Sequence, residues 1–160
     1  MARTNKSSLA TALRQTRPFV SLEQEAYLSI LRTASEISYA GDQFFRPFDI
    51  TPSQYNVLRI LRGAGDDGLC RNEISERMVT ATPDMSRLLD RMERAGWVQR
   101  ERAEDDRRQV STYITKSGRE LLEKLDTPTR DFVRRLFDGA AASDLKTVLR
   151  VNHQVRTKLS

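Results

Sequence analysis

Apolar residues recur at intervals of three or four along most of this chain, and the breaks in that rhythm divide it into elements. From Leu22 to Phe45 the rhythm is carried by Leu22, Ala26, Ile30, Ala34, Ile37 and Phe44. Tyr27, Leu31 and Phe45 widen the face, and the pattern predicts one long helix. Ser21 is placed to cap it, with Gln24 three positions on. Pro47 disfavours helix for the residue before it and stops the element. A second helix opens at Thr51-Pro52-Ser53-Gln54, which has the form of a capping box; Tyr55, Leu58, Ile60 and Leu61 are its expected buried face. Gly63 to Gly68 reads as a flexible loop rich in glycine and aspartate. Leu69 then makes a brief extended contact before a third helix, Arg71 to Met78, with Ile74 and Met78 facing inward.

The next stretch, Thr80 to Arg108, has the sharpest punctuation. Thr82 is an acceptor suited to a helix amino end, and Pro83 suits a first helical position, where its missing donor costs nothing. Met85, Leu88, Leu89 and Met92 share one face, with Asp84, Arg87, Arg91 and Arg94 elsewhere. Gly96 provides the left-handed residue that ends such helices. Trp97 to Arg102 and Gln109 to Thr115 are extended patterns joined by a polar turn. A short helix, a tight turn, a second helix and a hairpin form the layout of a helix-turn-helix with a wing. Helical periodicity resumes at Lys116 through Leu121, Leu122 and Leu125, then Phe132, Val133, Leu136 and Phe137. Pro128 falls within that run and predicts a kink or a break. Gly139 closes it, and Ser143 is expected to cap a last helix with Leu145, Val148, Leu149 and Val155 on its apolar side. No internal repeat is visible.

Composition narrows the class. A chain of 160 residues suits one domain with an extension, and at this size it buries enough surface to need neither disulfide nor metal. A single cysteine, Cys70, excludes an internal disulfide and fits a reducing cytoplasm. No apolar run approaches the roughly 18 residues of a membrane span, and the first twenty residues lack the apolar core of a signal peptide. The expectation is a soluble cytoplasmic protein with no membrane partner. There are 27 Lys and Arg against 22 Asp and Glu, a net charge of +5. That excess sits in the tails: Arg3, Lys6, Arg14 and Arg17 at one end, and Lys146, Arg150, Arg156 and Lys158 against Asp144 at the other. From Arg71 to Arg108 nine basic residues face nine acidic ones. Basicity alone is therefore weak evidence for nucleic-acid binding, and charge placement has to carry that reading. The basic tail reads equally as a solubilising segment or as a DNA contact.

Three segments together resemble the MarR-type winged-helix transcriptional regulators, over roughly Leu22 to Val155. They are Thr51-Pro52-Ser53-Gln54-Tyr55-Asn56-Val57-Leu58, Pro83 to Glu93, and Asp106-Arg107-Arg108 followed by Val110 to Thr115 and Gly118. The resemblance implies a mainly α fold with a small β-wing. With the basic, flexible extension (1–20) set apart by its own composition, it divides the chain into an N-terminal dimerisation helix (21–50), a winged helix-turn-helix domain (51–115) and C-terminal dimerisation helices (116–160). It further implies a homodimeric repressor on a near-palindromic operator, relieved by a small, often aromatic ligand or by oxidation, and no cofactor.

In DNA readers of this shape the amino end of the recognition helix enters the major groove. Thr82, Pro83, Asp84, Ser86 and Arg87 are the candidates there. Ser86 can donate to a phosphate or base edge, and Arg87 can engage guanine O6 and N7 together. Asp84 either accepts from a cytosine amine or stabilises the positive helix end, and the second role is favoured. Arg91 reaches phosphate or pairs within its own helix. Arg71 and Asn72 are phosphate candidates. By the likeness Arg107 and Arg108 lie at the wing tip, with Arg108 entering the minor groove and Asp106 organising the wing. Trp97 is expected in the core below it.

Terminal helices this apolar argue for a dimer through Leu22, Phe132, Leu136, Phe137, Leu145 and Leu149, or for packing within one chain. Ligand-pocket candidates are Tyr27, Arg32, Tyr39, Phe45, Tyr55 and Arg59, each also explicable as packing or solvated surface. Cys70 occupies an N-cap position where it caps poorly; a redox role competes with that of an inert thiol, the inert one favoured. His153 has no partner at metal-ligand spacing. Without a phosphate-binding glycine loop, a triad or a metal cluster, an enzyme is not expected. The remaining alternative is a winged-helix protein-interaction module without an operator.

Overall fold

The computed structural model describes residues 8–102 and 110–159. Its elements run α1 (Ser8–Ala12), α2 (Leu22–Phe45), a 3₁₀ turn (Arg46–Phe48), α3 (Pro52–Ala64), β1 (Leu69–Cys70), α4 (Arg71–Arg77), α5 (Met85–Arg94), β2 (Val98–Arg102), β3 (Val110–Ile114), α6 (Lys116–Leu136) and α7 (Ala142–Thr157). The fold is mostly helical with one small antiparallel sheet, as the periodicity predicts. Among the described residues no helix is long and apolar enough to cross a membrane. The chain divides into two compact units, Met1–Gln54 and Tyr55–Ser160.

In the first unit, α2 begins where the sequence places it. The Gln24 N–H donates to Ser21 Oγ at 3.2 Å, while Gln24 Oε1 reaches one residue further back, to the Val20 N–H. The 3₁₀ turn at Arg46–Phe48 ends α2 and carries Pro47. Phe44 meets Phe45 edge-on at 4.8 Å and Phe48 at 5.7 Å between ring centroids. Thr51 and Gln54 complete the predicted capping box, each accepting the other's backbone N–H, at 3.2 and 2.8 Å.

In the second unit the core is made by Tyr55, Val57, Leu58 and Leu61 of α3, Ile74 of α4, Met85, Leu88, Leu89 and Met92 of α5, and Leu122 and Leu125 of α6. Leu69, Val98 and Ile114 close it from the sheet. Val57 is fully buried where Ile60 was expected, so the inward face of α3 is rotated toward Val57. Helix α3 also continues through Gly63 to Ala64, and the chain turns at Gly65 and Gly68, both left-handed. The predicted loop is therefore shorter than its glycines implied.

Strand order is β1-β3-β2, all antiparallel. Thr112 of β3 lies opposite Leu69 on one side and Arg100 on the other, and its 1% exposure marks the centre of the sheet. Thr115 caps α6 by accepting the Gly118 N–H and donates its own hydroxyl to the Gly96 carbonyl at 2.6 Å. One side chain thereby joins the end of α5 to the start of α6. Trp97 is half-buried rather than core; its neighbour Val98 fills the buried place.

Helix α6 runs unbroken through Pro128, so the break allowed for there does not occur. A bidentate pair, Arg62 Nη1 and Nη2 on the two Asp126 oxygens at 2.8 and 3.0 Å, fixes α6 to α3 just before that proline. Helix α7 starts earlier than Ser143: Ala141 is its N-cap and makes no side-chain capping bond, and Ser143 lies inside the helix.

Candidate nucleic-acid interface

The start of α5 differs from the expectation by two residues. Asp84, not Thr82, is the N-cap: its Oδ1 accepts the Arg87 N–H at 3.0 Å, and Met85 is the first helical residue. Pro83 belongs to the turn before the helix and not to its first position. The physical reason is charge. A carboxylate caps at least as well as a hydroxyl and also answers the positive end of the helix. The Thr82 hydroxyl is turned to the Thr80 carbonyl at 3.4 Å. The buried stripe of Met85, Leu88, Leu89 and Met92 is as predicted, and it leaves Ser86, Arg87 and Arg91 exposed. Arg87 also forms an ion pair, Nε to Asp84 Oδ2 at 3.0 Å.

Helix α4 meets this end of α5 through polar groups. Arg71 Nη1 stands 3.4 Å from Ser86 Oγ, and its Nη2 donates to Asn72 Oδ1 at 3.3 Å. Asn56 of α3 accepts the Val79 N–H at 2.9 Å and so holds the turn between the two helices. Arg71, Asn72, Ser75, Thr82, Pro83, Asp84 and Ser86 line one open cleft of about 360 Å³. The predicted contacts Arg71, Asn72, Thr82, Pro83, Asp84 and Ser86 are thus gathered on one surface, and Arg87 is exposed beside Ser86 in sequence without lining the cleft. Arg91 lies further along α5 and is exposed, while its neighbours Asp90 and Glu93 pair with Arg100 of β2.

The root of the wing is held by a network the sequence reading did not identify. Arg100 of β2 donates through Nε to Glu93 Oε2 at 2.9 Å and through Nη2 to the same oxygen at 2.5 Å. The Arg100 backbone N–H takes the other Glu93 oxygen at 3.1 Å, and Nη2 lies 2.7 Å from Asp90 Oδ1. These bonds hold the Glu93 carboxyl below its ordinary value of 4.5, and the same pairing raises Arg100 further above its own. A signal was available: Arg100 shares strand parity with buried Val98, so its side chain must face the helix and needs acidic partners there. Arg100 also lines a groove of about 740 Å³ with Cys70, Arg71, Asn72, Glu73, Val110 and Ser111. Arg107, Arg108 and Asp106 lie outside the described residues.

Cys70 is the N-cap of α4, as read from the sequence, and is partly exposed. The adjacent backbone donor is satisfied by Glu73, whose Oε2 accepts the Cys70 N–H at 2.7 Å; that bond draws the Glu73 carboxyl below its ordinary value. Among the described residues no cluster of His, Cys, Asp and Glu can hold a metal ion.

The ligand-pocket candidates differ in exposure and partners. Tyr55 is buried, with the Arg59 guanidinium 5.9 Å from its ring centre and Arg59 Nη1 3.3 Å from its hydroxyl. Arg32 is committed to Glu36 at 2.6 Å, Tyr27 and Tyr39 are exposed, and Phe45 is buried. Of the dimer candidates, Leu22 on α2 is exposed, as are Leu136 on α6, Phe137 at its C-cap and Leu149 on α7, while Phe132 and Leu145 are half-buried.

Comparison with known proteins bears on this geometry. Residues 48–109 match the model of the MarR family. The solved MarR transcription factor of Planctomyces limnophilus is 34% identical and superposes with a TM-score of 0.67, covering 86% of this chain and 99% of its own. The S. aureus MepR–DNA complex is 25% identical with a TM-score of 0.74, covering 82% and 97%. Among curated sequences, the HTH-type transcriptional regulator YsmB of Bacillus subtilis (strain 168) is 25% identical over 134 residues, 81% of this chain and 90% of that protein.

Proposed function

The chain belongs to the MarR family and is a DNA-binding transcriptional regulator, and on that premise we propose that it acts as a homodimeric repressor of a near-palindromic operator. The observation that carries the reading is the exposed amino end of α5, where Ser86 lines one cleft with Arg71 and Asn72 of α4 and Arg87, the next residue, is exposed. In this reading Arg87 binds a guanine in the major groove, Ser86 meets a base edge or phosphate, and Arg71, Asn72 and Arg91 bind phosphates. Arg107 and Arg108 reach the flanking minor groove, with Asp106 organising the wing. The two half-sites lie about 34–36 Å apart, one turn of DNA. The dimer is formed by residues 21–50 and 116–160. A small ligand, such as an aromatic acid, relieves repression by favouring a dimer whose half-site spacing no longer matches the operator.

Selection from random duplex oligonucleotides, followed by titration of the winning sequence, tests this. The expected product is an inverted repeat, bound by two chains. Arg87→Ala should lower discrimination at one base pair per half-site by about 1–3 kcal/mol. Selection of no sequence above the starting pool would overturn operator binding and favour a protein-interaction module. For the ligand, aromatic acids are screened by thermal shift with and without the selected duplex; an effector stabilises the free protein and weakens DNA binding.

A further inference from the structure

Both oxygens of the Asp84 carboxylate are engaged, in different tasks. Oδ1 accepts the Arg87 backbone N–H, which is all that a helix cap requires. Oδ2 lies 3.0 Å from Nε of the same arginine. We propose that Asp84 is a specificity-determining positioning residue, bracing the Arg87 guanidinium so that only its Nη1–Nη2 edge is offered to a base. The proposal rests on the reading that Arg87 contacts a base, and adds to it what sets the angle of that contact.

The geometry explains why a brace matters here. The Arg87 side chain is 84% exposed, so packing does not select its rotamer. A long exposed side chain loses conformational freedom when it docks, and a contact made beforehand reduces that loss. A guanidinium can bind guanine by its Nε–Nη2 side or end-on through Nη1 and Nη2. With Nε held by Asp84, the end-on approach remains. A neutral cap such as Ser, Thr or Asn would still accept the Arg87 N–H but would leave Nε uncommitted. An acid facing phosphates also opposes sequence-independent attraction. Asp84 therefore trades general affinity for discrimination, consistent with a reading head whose charges cancel.

Asp84→Asn separates the two tasks, because Asn keeps the capping oxygen and loses the charge. The full-length protein, Asp84→Asn, Arg87→Ala and the double variant are each put through selection from random duplexes. Each is then titrated against the selected duplex and a scrambled one. Asp84→Asn should lower the thermal midpoint only slightly, lose roughly two- to fivefold of the discrimination at the base pair read by Arg87, and bind scrambled duplex more tightly. Added to Arg87→Ala, it should change no base preference. Asp84→Ser, a second neutral cap, should reproduce the Asn result and guards against a folding defect in one variant. Unchanged discrimination in both neutral variants would show that Asp84 is a cap alone. A changed preference that persists without Arg87 would make Asp84 a base reader itself and overturn the brace. If Arg87→Ala alone alters no base preference, the reading of Arg87 fails, and the brace with it, independently of any Asp84 result.

Discussion

At the scale of single residues, two glycines are fixed by what stands beside them. Gly68 has a φ of 63°, and a Cβ there would meet Tyr113 Cε1 at 2.5 Å. The ring must move or the turn must open to admit a side chain. A Cβ on Gly118 would collide with the Trp97 carbonyl oxygen, a backbone atom with little room to yield. Gly118→Ala should therefore destabilise the fold more than Gly68→Ala, and urea midpoints of the two variants measure the difference. Met92, fully buried on α5, represents the other kind of constraint. Met92→Ala should cost about 2–5 kcal/mol of unfolding free energy, from lost transfer energy and the cavity left behind.

Between elements, ion pairs determine which helix is tied to which strand. Glu93 and Asp90 bind Arg100 and so join α5 to the wing; Asp126 binds Arg62 and joins α6 to α3. Both Glu93 and Asp126 are held below their ordinary values, 4.5 and 3.8, first by the hydrogen bonds from their arginines. A carboxylate depressed in the folded state contributes stability that is complete above its unfolded value and is lost as pH falls through the folded one. Stability should thus decline as pH drops below about 4.5, and Glu93→Gln should flatten that acid limb while lowering stability at neutral pH. Chemical denaturation at a series of pH values reads both effects. An acid limb of unchanged slope in Glu93→Gln would mean that the Arg100 pairing is not what depresses this carboxylate.

For the whole molecule, the described residues leave apolar side chains on the surface at both ends of the sequence. Leu22 is 78% exposed on α2, and Leu149 is 68% exposed on α7. Apolar strips of this kind are uncommon on monomers, which supports the proposed dimer. Leu149→Glu should place an unpaired charge in that interface and shift sedimentation toward the monomer. Operator affinity should fall with it, because a monomer reaches only one half-site. A variant that remains dimeric at full operator affinity would place the interface elsewhere.

The sequence by itself determined the elements whose causes are local. The long α2, the Thr51–Gln54 box, the apolar stripe of α5, the stop at Gly96 and the hairpin after it follow from periodicity, capping and glycine conformation within a few residues of each other. Most of the candidate interface was legible for the same reason: Arg71, Asn72, Ser86 and Arg87 sit at the starts of two adjacent helices. Where two local signals competed, as Thr82 and Asp84 did for one cap, the choice needed the helix end in place to show which group it could bind. Arg100 with Glu93, Arg62 with Asp126 and Asn56 with the Val79 N–H were decided only by tertiary structure. A buried or half-buried polar group must find a partner, but nothing in local spacing says which distant residue the fold will bring to it. The same holds for α6, whose apolar rhythm is continuous although Leu122 and Leu125 are buried and Val133 and Leu136 are exposed. Periodicity specifies a face, and only the packed chain decides how much of that face is covered.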